Sequence, residues 1–259
     1  MDEHLVIDND YLKLFEAYQQ GNLADFDLLI FRKYLQGMED FLDNESAKLD
    51  KLLNAVAEEM GAEKFVVSLK MEIPPKEVDY GFFYQEMTEL YANTFRKSAF
   101  VSLYSHFEVE LVPRVQAFSK LLNSGAITFD SYKRKSRKKS KSRENSGPKN
   151  TLELAVDYFK ETLNFDMSPE DNLVWLEIKN FTILRNCIVH DSGVLDKKTR
   201  HRNDLEDYIY TSPYLSLDDD KILLNREFCF HVVDVFKKFF IILVEFVRGK
   251  VFANIKAAS

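Results

Sequence analysis

Glycine and proline are scarce in this chain, 8 and 6 residues among 259, and cysteine is nearly absent at two. So few turn formers argue against a turn-rich all-β fold. Two cysteines cannot build a disulfide scaffold, and no zinc-ligand spacing surrounds them. Cys187 and Cys229 each sit in an apolar helical stretch and read as small core hydrophobes of a cytoplasmic protein. The longest uncharged apolar run, Phe239 to Val244, falls far short of the roughly 20 residues that span a bilayer, so no membrane partner is expected. The start Met1-Asp2-Glu3-His4 lacks a basic stretch before an apolar core, and no secretory signal is expected. No glycine-rich phosphate loop is present, which weakens any reading as a nucleotide-binding protein that does not cleave.

What is abundant is aromatic residues, 22 Phe and 12 Tyr, in a chain that is 46% hydrophobic and 30% charged. That balance supports a sizeable core in one large or two small domains built of long helices. Residues 8–20 read as a short amphipathic helix stopped by Gly21. Between Asp25 and Met60, Phe26, Leu29, Ile30, Tyr34, Met38, Phe41, Leu49 and Leu52 recur at helical steps. Gly37 or Asp43-Asn44 is a candidate break. Lys64 to Ile73 reads as strand or coil before Pro74-Pro75. A second long helical pattern runs from about Tyr80 to Leu122, with Pro113 expected to kink or restart it. It places His106 one turn from Glu110, a pairing more often a local hydrogen bond than chemistry.

Helical periodicity resumes from Thr151 to Leu163. Ser168 as cap, Pro169 at the first position, and Glu170 and Asp171 in the first turn open another helix, which runs to about His190. Asp196 to Asp207 shows no strong period. Tyr214 to Leu217, the Asp218-Asp219-Asp220 turn and Ile222 to Leu224 predict a small hairpin. A last helix starts at the Asn225 cap and is apolar nearly all round, as for the middle of a bundle or a subunit interface. The organisation expected is an all-α bundle, with residues 1–75 as an N-terminal helical extension and 76–259 as the main helical domain.

The net charge of −7 conceals an asymmetry. Lys133, Arg134, Lys135, Arg137, Lys138, Lys139, Lys141 and Arg143 place eight positive charges within eleven residues. Setting those eight aside from −7 leaves the rest of the chain at −15. With the Ser/Gly/Pro residues after them, they predict a basic flexible loop over 131–150, either solvated and mobile, gripping RNA phosphates, or docking a partner.

The stretch Leu184-Arg185-Asn186-Cys187-Ile188-Val189-His190-Asp191-Ser192-Gly193 sets polar groups in an otherwise apolar helix. At about 100° per residue, Asn186 and His190 face the same way, Lys179 projects between them, and Arg185 flanks the set. These residue types suit phosphodiester chemistry without metal. Imidazole can take a proton from a ribose 2′-hydroxyl or return one to a leaving oxygen. Guanidinium can hold the phosphate bidentately and stabilise charge that builds in the transition state. Asn can orient either one. The same three residues can equally cap helix carbonyls and pair with Asp191 or Glu177. No acidic cluster suited to Mg²⁺ accompanies them, and neither a metal nor a cofactor is expected.

The run from Leu184 to Gly193 resembles the signature of the HEPN superfamily (higher eukaryotes and prokaryotes nucleotide-binding), an Arg, four to six residues, then His, with a polar residue after the Arg. The upstream helix with Leu103-Tyr104-Ser105-His106-Phe107-Glu108, the hairpin and the apolar last helix match that family's organisation over roughly residues 80–250. The resemblance implies a HEPN-like helical bundle that dimerises, so that two motifs face each other across one composite site. Arg185 and His190 then carry over as catalytic residues and Asn186 as their polar assistant. It also implies a metal-independent endoribonuclease leaving a 2′,3′-cyclic phosphate, a toxin or antiviral-defence effector of prokaryotes, with RNA as substrate and an antitoxin or regulatory protein as a further partner. Other members have lost catalysis and serve as scaffolds or interaction modules. One toxin branch carries a Tyr two residues after the His as the target of a modifying antitoxin; Ser192 stands there in this chain.

Overall fold

The computed structural model describes residues 9–60, 90–122, 127–140 and 150–258. The helices are α1 (Asn9–Met60), α2 (Ala92–Leu122), α3 (Phe129–Ser140), α4 (Thr151–Leu163), α5 (Pro169–His190) and α6 (Arg202–Thr211). A hairpin of β1 (Leu215–Asp218) and β2 (Lys221–Leu224) then precedes α7 (Phe228–Ala258). The all-α expectation holds, with the one small antiparallel hairpin before the last helix. No described helix is long and apolar enough to cross a membrane. The Lys64–Ile73 segment and the proposed boundary at residue 75 lie outside the described residues.

Two compact units divide the chain: residues 1–29, 102–182 and 233–259 form one, and residues 30–101 and 183–232 the other. Aromatic packing fills the first. Phe107 of α2 stacks on Phe236 of α7 at 4.0 Å between centroids, 3° from parallel, and meets Phe239 and Phe240 edge-on. Phe181 and Trp175 of α5 close on Phe236 and Phe239. Phe159 of α4 meets Phe165 and Phe246. In the second unit Phe100 packs on Phe228, and the buried Glu39 of α1 receives a bidentate pair from Arg96 of α2, at 2.8 and 2.7 Å. Burying a carboxylate is tolerable only with such a partner.

The helix starts follow their caps. Ser168 and Asp171 bond reciprocally at the head of α5. Asn225 Oδ1 accepts from the amides of Glu227 and Phe228 at the head of α7. The hairpin pairs Leu215 with Leu224 and Asp218 with Lys221, with Asp219 in the left-handed region at its turn.

Several expectations are corrected. Gly21 does not stop a helix, and neither Gly37 nor Asp43-Asn44 breaks one: α1 runs unbroken from Asn9 to Met60. A lone helical glycine costs only about 1 kcal/mol relative to alanine, which the turns on either side absorb. Pro113 lies inside a continuous α2; Arg114 Nη1 donates to the Glu110 carbonyl at 3.0 Å, serving a carbonyl in the turn that the ring weakens. Residues 131–140 of the expected loop belong to the helix α3. Buried Phe129 and half-buried Tyr132 pack on Tyr158 of α4 at 5.5 and 5.4 Å, and Lys and Arg are good helix formers. Residues 141–149 lie outside the described residues. The aperiodic stretch after Asp196 contains α6, held by buried Leu205, Tyr208 and Ile209. Finally, α7 is not apolar all round: Asp234, Lys237, Lys238 and Ile241 are exposed opposite a buried row through Val232, Phe236, Phe239, Leu243 and Val247.

Candidate functional site

Arg185, Asn186 and His190 occupy the last two turns of α5, the end of the helix where backbone carbonyls are left over. Leu184 and Cys187 are buried on one side, and this burial fixes the rotation of the helix. That rotation turns Asn186 and His190 into solvent and leaves Arg185 half-buried between. Arg185 Nη1 donates to Asn186 Oδ1 at 3.2 Å, so the amide oxygen steadies the guanidinium and the amide NH₂ is left to donate. The His190 side chain makes no hydrogen bond or ion pair to another described residue. Lys179 is exposed earlier on the same helix.

The chain leaves α5 through a left-handed pair, Ser192 at φ 56° and Gly193 at φ 71°, closed by a bond from the Gly193 amide to the Cys187 carbonyl at 3.1 Å. The hairpin then pins the exit. The Ile222 amide donates to the Gly193 carbonyl at 2.9 Å, and the Leu195 amide to the Asp220 carbonyl at 2.7 Å. Asn93 of α2 holds β2 in turn, donating to the Ile222 carbonyl and accepting from the Leu224 amide. The motif thus sits on a helix end braced by a hairpin, itself tied to α2.

Lys97 of α2 runs directly under this exit. A Cβ added at Gly193 would stand 2.6 Å from Lys97 Nζ. Burial pushes the Lys97 ammonium pKa down, and Lys221 lowers it further while Cys187 opposes. Its position beside the carbonyl end of α5 is favourable for a cation. Burial also pushes the Cys187 thiol up to about 11, with Asp191 adding to the rise and Lys97 opposing. The thiol is therefore neutral near pH 7, its Sγ donating weakly to the Val194 carbonyl at 3.7 Å; it packs, as expected from the sequence. Gly193→Ala is expected to cost about 1–2 kcal/mol, because an L residue resists the left-handed region and its methyl displaces Lys97. A shift of the urea midpoint at constant slope measures it.

Sequence reasoning missed Lys97, since nothing in the primary structure links it to a motif 88 or more residues later; only the packing of α2 beside the end of α5 does. It also missed Asp27, which joins His106 and Glu110 so that ligand atoms of all three lie within 4.8 Å of one another. Arg114 pairs closely with Glu110 and stands 4.0 Å from Asp27, so its guanidinium already neutralises both carboxylates. The cluster is an ion-pair network, with His106 Nε2 4.0 Å from Asp27.

Of the basic residues, Lys133 is half-buried over the Phe129 ring at 6.0 Å, and Arg134 and Lys135 are exposed on α3. The side chains of Arg137, Lys138 and Lys139, and the whole of Lys141 and Arg143, lie outside what is described.

Fold and site together define a mostly helical protein that presents an Arg-Asn-x3-His motif at the end of a helix. No protein family, curated protein or solved structure matches the chain.

Proposed function

We propose that the chain is a metal-independent endoribonuclease of the HEPN type, working as a homodimer in which two motifs border one composite site. The observation that supports it best is the standing of Asn186 and His190. Both are exposed at the end of a firmly braced helix, and among the described residues His190 has no side-chain bond that would explain an imidazole there. In the reaction a neutral His190 takes the proton of a ribose 2′-hydroxyl as its oxygen attacks the adjacent phosphorus. The 5′-oxygen leaves with a proton from the second copy's imidazole. The products are a 2′,3′-cyclic phosphate and a free 5′-hydroxyl, with no net proton change. Arg185 holds the non-bridging oxygens as negative charge concentrates on them, and Asn186 keeps the guanidinium aimed. A toxin or antiviral effector, restrained by a regulatory protein, is the setting this chemistry fits. Purified protein incubated with total RNA in EDTA tests the reading, with His190→Ala as control; equal cleavage by the two sinks it.

In this reading α3 holds RNA by its phosphates. Replacing Lys133, Arg134 and Lys135 by Gln leaves Phe129 and Tyr132 to anchor the helix. The expected result is weaker RNA binding at low salt and a log–log salt dependence shallower by about 2, for three single-strand phosphate contacts. An unchanged slope in fluorescence anisotropy removes α3 from the interface.

A further inference from the structure

From Ile30 onward α1 buries Leu35, Met38, Leu42 and Leu49. An adjoining face, roughly 100° round the helix, carries a stripe that a solvent-facing helix does not need. Ile30 is 52%, Tyr34 56% and Phe41 50% exposed. At about 100° per residue these three and Gly37 fall within roughly 60° of one another. Gly37 sits in their middle, and a Cβ built there would meet nothing within 4 Å. A glycine inside a helix costs about 0.5–1 kcal/mol against alanine, and no contact within the described chain accounts for its place. On the side of Gly37 away from Tyr34 and Phe41 stand exposed Lys33 and Asp40. Asp40 Oδ1 accepts from Gln36 at 2.8 Å, which leaves its other oxygen open.

We propose that this stripe is a self-association surface, on which α1 of a second copy crosses antiparallel with the two-fold axis at Gly37. The charge pattern selects that occupant. A two-fold axis brings the residue k places before Gly37 beside the residue k places after it in the other copy, and keeps each flank with its like. Lys33, four before, then meets the partner's Asp40, three after, on one flank. Tyr34, three before, meets the partner's Phe41, four after, on the other. Each pair occurs twice, so two ion pairs and two aromatic pairs frame a crossing where the missing glycine side chains let the backbones approach. A parallel crossing exchanges the flanks at equal height, setting Lys33 beside the partner's Tyr34 and Asp40 beside the partner's Phe41, so neither charge meets its opposite. The surface is independent of whether the chain cleaves RNA and does not involve Arg185 or His190.

The test is association measured by sedimentation velocity over a concentration series on the full chain, with three variants. Gly37→Leu favours the isolated helix and blocks the crossing. It is expected to remove one association step or raise its dissociation constant at least about 30-fold, the loss of a central contact. Lys33→Asp weakens the same step, and adding Asp40→Lys restores it. Gly37→Cys, placed on the axis, forms a disulfide-linked dimer under mild oxidation, against a background kept low because Cys187 and Cys229 are buried. A wild type that is monomeric throughout overturns the proposal. So does an association step that Gly37→Leu leaves untouched, or a Gly37→Cys protein that stays uncrosslinked while the wild type associates.

Discussion

His190→Ala is expected to lower RNA cleavage in EDTA by about 10²–10⁴-fold, the usual contribution of a positioned acid–base group, while leaving thermal stability unchanged. The two halves of that result discriminate together. Had His190 capped a carbonyl or paired with Asp191 or Glu177, its removal would cost stability and no activity. In the structure His190 is exposed at the end of α5 with no side-chain bond to another described residue, and exposed substitutions of that kind usually change stability by no more than about 0.5 kcal/mol. Arg185 differs: it is half-buried and bonded to Asn186 at 3.2 Å. Arg185→Ala is therefore expected to lose both cleavage and some stability, and Arg185→Lys to keep the charge but not the two-pronged grip. Rates per folded molecule against RNA, with melting curves on the same preparations, check all three. Full activity in His190→Ala would return the motif to a structural role.

The parts of this fold legible in the sequence are those set by neighbours a few residues apart. Ser168-Pro169-Glu170-Asp171 announces the head of α5, Asn225 the head of α7, and Leu215 to Leu224 the hairpin, because capping and two-residue turns are local chemistry. The parts that were not legible depend on distant partners. Gly21 has the look of a stop signal, yet a glycine ends a helix only where the chain needs the left-handed region, and Gly193 is where that need arises. The basic run after Phe129 has a loop's composition, but Phe129 and Tyr132 dock on Tyr158 and carry the charged residues with them into a helix. At the site, the shared face of Asn186 and His190 follows from spacing alone. Their exposure does not, because it depends on which side of α5 the core takes. Leu184 and Cys187 settle that by being buried, and Lys97 joins from a helix that no local pattern connects to it.

Phe107→Ala carries the largest expected effect on stability, about 3–5 kcal/mol. Phe107 is fully buried, stacked flat on Phe236 and met edge-on by Phe239 and Phe240. Truncation removes the ring's transfer free energy, and three aromatic side chains around one void cannot all collapse into it, so a cavity penalty adds to the loss. The aromatic contacts themselves are worth a further part, since offset and edge-on rings attract beyond their buried area. For a chain of this size the loss corresponds to a melting temperature lower by roughly 6–20 °C. Phe107→Leu, which keeps most of the volume, is expected to lose much less. The comparison separates scaffold from chemistry: Phe107 lies in the unit of residues 102–182 and the motif from Ile183 onward in the other. Phe107→Leu, still folded at 25 °C, should then cleave RNA at the wild-type rate, whereas His190→Ala melts like wild type and cleaves about 10²–10⁴-fold more slowly. A Phe107→Ala protein that melts within a degree or two of wild type would mean that the stacked rings are not the centre of this core.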